Sequence, residues 1–159
     1  MSPPAQRPHR SEQLVETPAD FLEAVTDRFG HLEFDLACSE ENKKAEHGFN
    51  FPDINALTTT WSACSTNLCW LNPPYEDIES WVKKCSVEST AFTSGRILLL
   101  VPASVGSEWF RKYVHGHAYV LALSPRLKFV GHTSSYPKDL MLCIYGGKVP
   151  GFNCWRWKP

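Results

Sequence analysis

Short apolar runs alternate with amphipathic stretches along most of the chain. Apolar runs typical of buried strands occupy 32–38, 68–71, 97–101, 118–123 and 140–145, the last of these being the final predicted strand. Apolar residues spaced three or four apart, typical of helices that pack on one face, occupy 21–29, 78–85 and 109–114. Because strands and helices alternate, the pattern predicts an α/β domain with a mainly parallel sheet flanked by helices.

The first helix is bounded by residues with strong preferences for helix ends. Thr17 is a good N-cap, Pro18 suits the first helical position, and Gly30 is a natural stop. The segments 46–61 and 130–138 are mostly polar, and we expect both to be irregular.

The apolar run 68–71 ends on Asn72, Pro73, Pro74 and Tyr75, the most specific chemistry in the chain. Two successive prolines stop the strand and hold a stiff turn with outward-facing carbonyls. The Asn72 amide oxygen and these carbonyls are acceptors, and the Tyr75 ring offers a flat face. This proline turn (residues 72–75) suits an exocyclic amino group on a planar ring. The acceptors would bind the N–H groups of the amine, while the tyrosine would stack on the ring. The structural alternative is a turn with a packed tyrosine.

Length and composition indicate an ordinary globular protein. A chain of 159 residues can bury a real core, and we expect residues 13–159 to form one domain and residues 1–12 a disordered arm. No apolar run approaches the roughly 20 residues that span a bilayer, and no hydrophobic signal segment is present, so we expect a cytoplasmic protein without a membrane partner. The six cysteines lack zinc-ligand spacing, which indicates reduced, mostly buried thiols and no metal site.

Charge is divided unevenly along the sequence. Residues 1–95 carry 7 Lys/Arg and 15 Asp/Glu, whereas residues 96–159 carry 9 and 2. This asymmetry suits a face that meets a polyanion, although folding could equally mix the charges over the surface. Arg126 and Lys128 alternate with apolar residues as in a strand, so both should share a face that meets phosphate, a base edge or only solvent. The tail 155–158 interleaves tryptophan with basic residues and is expected to pack onto the body.

Several motifs resemble known methyltransferases. Residues 72–75 resemble the Asn-Pro-Pro-Tyr motif of amino-methyltransferases that use S-adenosylmethionine. Residues 34–44 (Phe-Asp-Leu-Ala-Cys-Ser-Glu-Glu-Asn-Lys-Lys) and 126–129 (Arg-Leu-Lys-Phe) resemble a compact phage-borne family of DNA N6-adenine methyltransferases, in the family's motif order over residues 14–145. The resemblance implies a Rossmann-like methyltransferase fold, S-adenosylmethionine as cofactor and N6 of adenine in DNA as acceptor. It leaves no length for a separate target-recognition domain.

The resemblance also implies roles for individual residues. Asn72 and the Pro73 carbonyl would accept the N6 hydrogens of an extruded adenine on which Tyr75 stacks. The whole implied set comprises Asn72, Pro73, Pro74 and Tyr75 for catalysis, Thr17, Pro18, Asp35, Ala37, Asn42 and Trp61 for the cofactor, and Arg126 and Lys128 for DNA. A simple helix cap is the structural alternative for Thr17 and Pro18, and an exposed strand-end carboxylate is the alternative for Asp35.

Two positions depart from the family pattern. Ala37 stands where the family often has a second acid, and Thr60 stands where an acid usually precedes Trp61. A threonine hydroxyl carries no charge, so weaker cofactor binding is expected. Two alternatives therefore stay open. One is a binding protein that has lost the catalytic activity, and the other is a protein-glutamine methyltransferase that uses the same turn. The resemblance further suggests that the protein is encoded by a phage, acts in a bacterial host cell and has a role in restriction-modification. The sequence is also compatible with a homodimer.

Overall fold

The computed structural model describes residues 16–51, 53–147 and 149–159. The predicted arm at residues 1–12 lies outside them. The helices of this part of the chain are α1 (Ala19–Phe29), α2 (Ile78–Glu88) and α3 (Glu108–Tyr113). Its strands are β1 (Phe34–Cys38), β2 (His47–Asn50), β3 (Leu68–Leu71), β4 (Arg96–Pro102), β5 (Ala118–Ser124), β6 (Leu140–Tyr145) and β7 (Gly151–Arg156). Short 3₁₀ turns lie at Ser62–Cys64, Tyr75–Asp77 and Ser89–Ala91.

The strands form a single sheet in the order β2-β1-β3-β4-β6-β5-β7. The pairs β1–β2, β1–β3, β3–β4 and β5–β7 are parallel, whereas β6 is antiparallel to both of its neighbours. The irregular segment 125–139 joins β5 to β6 without a crossover helix, so β6 can return beside β5 in the opposite direction. The prediction of an α/β fold with a mainly parallel sheet is confirmed, and the topology is consistent with a methyltransferase-like fold.

Two apolar cores cover the two faces of the sheet. In β4, Ile97, Leu99 and Val101 belong to the core that includes α2. Leu98 and Leu100 belong to the core that includes α1. Successive residues of a strand point to opposite faces, so this division places α1 and α2 on opposite sides. Burial of both faces explains why β4 is a continuous apolar run in the sequence.

The strand predictions need three corrections. The segment 46–61, expected to be irregular, contains the short edge strand β2, whose polar residues give no apolar pattern. Strand β7 follows the strand predicted to be the last; its residues are exposed or half-exposed, and parallel pairing with β5 holds it in place. Residues 125–129 are not a strand, although Leu127 is buried and Arg126 and Lys128 are exposed as the alternation predicts.

The start of α1 also differs from the prediction. The helix begins at Ala19, one residue after Pro18, and no side chain caps it. Thr17 is therefore not an N-cap, and its side chain is used elsewhere. The predicted stop is confirmed, because the Gly30 N–H bonds to the Thr26 carbonyl with a positive φ of 108° that favours glycine.

The tail packs onto the body, as predicted. The Trp157 ring meets Phe21 edge-on at a centroid distance of 5.2 Å, and its Nε1 donates to the Pro125 carbonyl at 2.6 Å. All six cysteines are free thiols, and Cys154 alone is exposed. No helix in the described ranges is long and apolar enough to cross a membrane.

Candidate active site

A cavity of about 380 Å³ opens where β1, β2 and β3 end. These strands are parallel neighbours, so their carboxyl ends meet at one edge of the sheet, the edge at which open α/β folds bind ligands. The cavity brings together six of the residues implicated by the sequence: Thr17, Asp35, Ala37, Asn42, Asn72 and Pro74. Residues from four separate parts of the sequence thus share one site.

A hydrogen bond joins the proline turn to the segment before α1. Nδ2 of Asn72 donates to Oγ1 of Thr17 at 2.9 Å, and Thr17 is only 2% exposed. Because the Thr17 oxygen accepts from the amide nitrogen, the Asn72 side chain is oriented with Oδ1 as its acceptor end. In this orientation Oδ1 is the end of the amide that can receive an amino group.

Asp35 lies in β1 and is almost completely buried, with 2% exposure. Its Oδ1 accepts from the Ala37 N–H at 3.1 Å, and its Oδ2 accepts from the Lys44 N–H at 2.9 Å. Burial raises the pKa of the carboxyl from 3.8 to about 6, while the two backbone N–H groups pull it back only in part. A buried acid whose ionised form is disfavoured, in the wall of a cavity, is a candidate functional group.

The turn after β1 is closed by its own side chains. Oδ1 of Asn42 accepts from the Ser39 N–H at 2.7 Å and from the Ser39 hydroxyl at 2.8 Å. Lys44 crosses the cavity wall to Glu16, with Nζ 2.8 Å from Oε1. Ser39, Lys44 and Glu16 all line the cavity, and sequence reasoning did not select them.

A second group of lining residues follows β2. Phe51, Ile54, Asn55 and Leu57 form the more apolar part of the wall, and Trp81 of α2 adds its ring. These residues were missed because β2 was not predicted, so nothing placed residues 51–57 at the carboxyl end of a strand. Asn55 supplies a carboxamide there, and its Oδ1 accepts from the Leu57 N–H at 3.0 Å.

Trp61 does not join the cavity-lining residues, although the resemblance implies a cofactor contact for it. Its ring is fully buried, and its Nε1 donates to the Ala56 carbonyl at 3.0 Å. The Trp61 N–H donates to Glu88, which also pairs with Lys84 at 2.7 Å. Thr60 is exposed, with Oγ1 3.3 Å from the Ser62 hydroxyl. The missing acid at position 60 therefore removes no charge from the cavity wall.

Tyr75 turns away from the cavity. Its ring packs against Phe129 and Tyr136, with centroid distances of 6.4 Å and 6.0 Å, and those two rings lie 5.2 Å apart. Burial raises the pKa of Tyr75 well above its ordinary value. We call Tyr75, Phe129 and Tyr136 the aromatic cluster.

The other predicted site residues are not among those that line the cavity. Pro18 and Pro73 are buried beside Thr17 and Asn72. Arg126 and Lys128 are exposed on the segment that leads into the aromatic cluster. Arg126 forms an exposed ion pair with Asp139 at 2.9 Å.

A cavity at the ends of parallel strands, with a buried acid and an amide-bearing proline turn, places the chain among α/β domains of the methyltransferase-like class. A sequence model of the family described as DNA N-6-adenine-methyltransferase (Dam) matches residues 5–140. The chain belongs to this family.

Two relatives illustrate the similarity. The DNA N-6-adenine-methyltransferase of Escherichia phage T1 is 33% identical over 142 residues, covering 89% of this chain and 58% of the phage protein. The DNA N-6-adenine-methyltransferase of Haemophilus phage HP1 (strain HP1c1) is 23% identical over 131 residues, covering 78% of this chain and 73% of the phage protein. The chain thus spans little more than half the length of the T1 relative.

Proposed function

We propose that this protein transfers a methyl group from S-adenosylmethionine to N6 of adenine in DNA. The observation that carries the proposal is the Asn72–Thr17 hydrogen bond, which holds the proline turn against the cavity that contains Asp35. Family membership and the names of both relatives support the same activity. We further propose that the protein acts in the cytoplasm of a bacterial host cell and is encoded by a phage, as the relatives are.

The cavity suits S-adenosylmethionine in size and charge. Its volume lies within the range of about 300–1,000 Å³ that is usual for small-molecule sites. Among the residues that the structure describes, four acids and one lysine line the cavity, which suits a ligand with a sulfonium and an ammonium group. The acids are Glu16, Asp35, Glu76 and Asp77, and the lysine is Lys44. The apolar part of the wall, from Phe51 to Leu57, suits a planar base. When bound, this cofactor supplies a methyl group already activated on sulfur.

The proline turn would hold the acceptor amine. Oδ1 of Asn72 and the carbonyl of Pro73 accept the two hydrogens of adenine N6 and draw its lone pair out of conjugation with the ring. Acceptors fixed in advance also stabilise the positive charge that develops on this nitrogen, without reorganisation during the reaction. The residues that hold the two molecules would supply the remaining rate enhancement by positioning the amine beside the activated methyl group.

The adenine must leave the DNA stack to reach this turn. We propose that Tyr75 stacks on the extruded base, a contact worth about 1–3 kcal/mol in proteins that bind single strands. Exposed Arg126 and Lys128, which precede Phe129 and Tyr136 in sequence, would contact DNA phosphates. Loops of the catalytic domain would then contact the DNA.

The direct test measures N6-methyladenine by mass spectrometry in DNA from cells that express the chain and lack adenine methylation of their own. We expect the modified base with the wild-type protein and none with Asn72→Ala. The matched control is Asn153→Ala, which removes an exposed asparagine of β7 and should leave the product unchanged.

Calorimetric titration with S-adenosylmethionine separates chemistry from binding. We expect Asn72→Ala to bind the cofactor nearly as well as the wild type, because the proposal assigns its amide oxygen to the amine. A wild-type protein that binds no S-adenosylmethionine and forms no methylated adenine would refute the proposed function.

A further inference from the structure

The aromatic cluster has no place in the cofactor cavity, yet it adjoins the proline turn. Phe129 is 2% exposed and forms its base, while Tyr75 and Tyr136 are half-buried. Tyr136 belongs to the polar segment 130–138, whose other described residues are exposed. A lone aromatic residue that turns inward from such a segment, onto the tyrosine of the proline turn, requires an explanation.

The backbone around Tyr136 is anchored. The Tyr136 N–H donates to the Leu127 carbonyl at 2.7 Å and closes the base of the loop. The Val130 N–H donates to the Glu16 carbonyl at 3.1 Å, which ties the same loop to the residue before Thr17. These bonds hold the Tyr136 backbone in a fixed position relative to the cofactor side of the site, so rotation of its side chain is the simplest available movement.

The hydroxyl of Tyr75 supplies a second, independent observation. Its Oη is buried and makes no hydrogen bond to any residue that the structure describes. Buried polar groups without partners are rare because they lose the hydrogen bonds they make in water. Such a group beside a candidate site suggests that a molecule entering there brings a partner.

We infer that Tyr136 is the second aromatic contact of the target base, which lies between the Tyr75 and Tyr136 rings. This inference rests on the proposed function. A planar base in van der Waals contact on both faces needs ring planes about 7 Å apart, twice the contact distance of about 3.5 Å. The two tyrosine rings now lie 6.0 Å apart at an interplanar angle of 64°. Rotation of Tyr136 until its ring is parallel to that of Tyr75, with a wider gap between the two rings, would admit the base.

The contact divides recognition between two kinds of group. Stacking on two rings selects any planar base, whereas the acceptors of Asn72 and Pro73 select one with an amino group. Tyr136 follows Arg126 and Lys128 along the same loop, so one loop would hold both the DNA backbone and the base that leaves it.

The test measures kcat/KM for methylation of a random-sequence duplex DNA pool at saturating S-adenosylmethionine. We expect Tyr136→Phe, which keeps the ring, to stay within about twofold of the wild type. Tyr136→Leu, which keeps bulk over Phe129, and Tyr136→Ala should both lose about 5- to 150-fold, the loss expected for one stacking contact. The matched control is Ser134→Ala, an exposed position on the same loop.

A binding measurement distinguishes this role from a structural one. Tyr136→Leu should bind S-adenosylmethionine like the wild type, because Tyr136 does not line the cavity. Loss of affinity for the cofactor would show that the substitution damages the fold and would overturn the inference.

The kinetic outcomes are equally decisive. If the wild type is active and Tyr136→Leu has the same or a higher kcat/KM, the role of Tyr136 is overturned. A higher kcat/KM would show that the ring obstructs the base. A wild type that forms no N6-methyladenine overturns the proposed function instead, so the two failures are distinct.

Discussion

The hydrogen bond between Asn72 and Thr17 can be removed without changing the shape of either residue. Thr17→Val replaces the hydroxyl with a methyl group of similar size, so Nδ2 of Asn72 loses the acceptor that lies 2.9 Å away. Thr17→Ser keeps the hydroxyl and loses only a methyl group. Comparison of the two variants separates the effect of losing the hydrogen bond from the effect of losing packing.

The structure sets the expected size of the effect. Thr17 is 2% exposed, so water replaces its oxygen poorly in the valine variant. Loss of an acceptor from a buried donor typically costs about 1–3 kcal/mol of folding free energy. For a chain of this size, each kcal/mol lowers the melting temperature by roughly 2–4 °C. If the same free energy holds Oδ1 towards the amine, kcat falls by about 5- to 150-fold.

The assay combines two measurements on purified Thr17→Val, Thr17→Ser and wild-type protein. Thermal unfolding reports the loss of stability. Initial rates of N6-methyladenine formation, at saturating S-adenosylmethionine and DNA, report kcat independently of any change in cofactor affinity. We expect a lower kcat for Thr17→Val and near-normal values for Thr17→Ser. Wild-type kcat in the valine variant, or equal losses in both variants, would show that the hydroxyl does not orient the amide.

Three further predictions follow from other contacts. Because the pKa of Asp35 is about 6, its carboxyl is mostly ionised at pH 7 and mostly protonated at pH 5. If the Asp35 charge attracts a cationic cofactor, the affinity for S-adenosylmethionine measured by calorimetry should fall roughly tenfold from pH 7 to pH 5. Asp35→Asn should abolish this pH dependence. An equally steep fall in the variant would assign the pH dependence to another group. Glu88→Ala should lower stability by about 3 kcal/mol in chemical denaturation, because Lys84 and the Trp61 N–H lose their partner in a largely buried site. Cofactor affinity should not change, since Trp61 lies outside the cavity, and a large loss of affinity would contradict that placement. Lys128→Ala should reduce the slope of log K for duplex DNA against log salt by about 0.9, the value for one phosphate contact. Lys112→Ala on α3 is its control, and equal slopes for both variants would remove Lys128 from the DNA surface.

Local chemistry made much of the molecule predictable from the sequence. The residues of β4 form a continuous apolar run because the strand is buried on both faces of the sheet. The apolar residues of α2 have helical spacing because the helix is buried on one face. The prolines at 73 and 74 end β3 wherever the strand lies, because proline has no N–H and a fixed φ. Strand β7 gave no such signal, since pairing of its backbone with β5, rather than burial of its side chains, holds it in the sheet.

Tertiary structure alone decided how the candidate site is assembled. Thr17 and Asn72 are 55 positions apart, and they meet because the fold brings the segment before α1 to the end of β3. Packing, which motifs do not encode, buries Trp61 in the core and places Tyr136 on Tyr75. The sequence determined which residues can accept a hydrogen bond or stack on a ring. Long-range pairing and burial determined which of them share a cavity, because those contacts depend on the whole fold rather than on neighbouring residues.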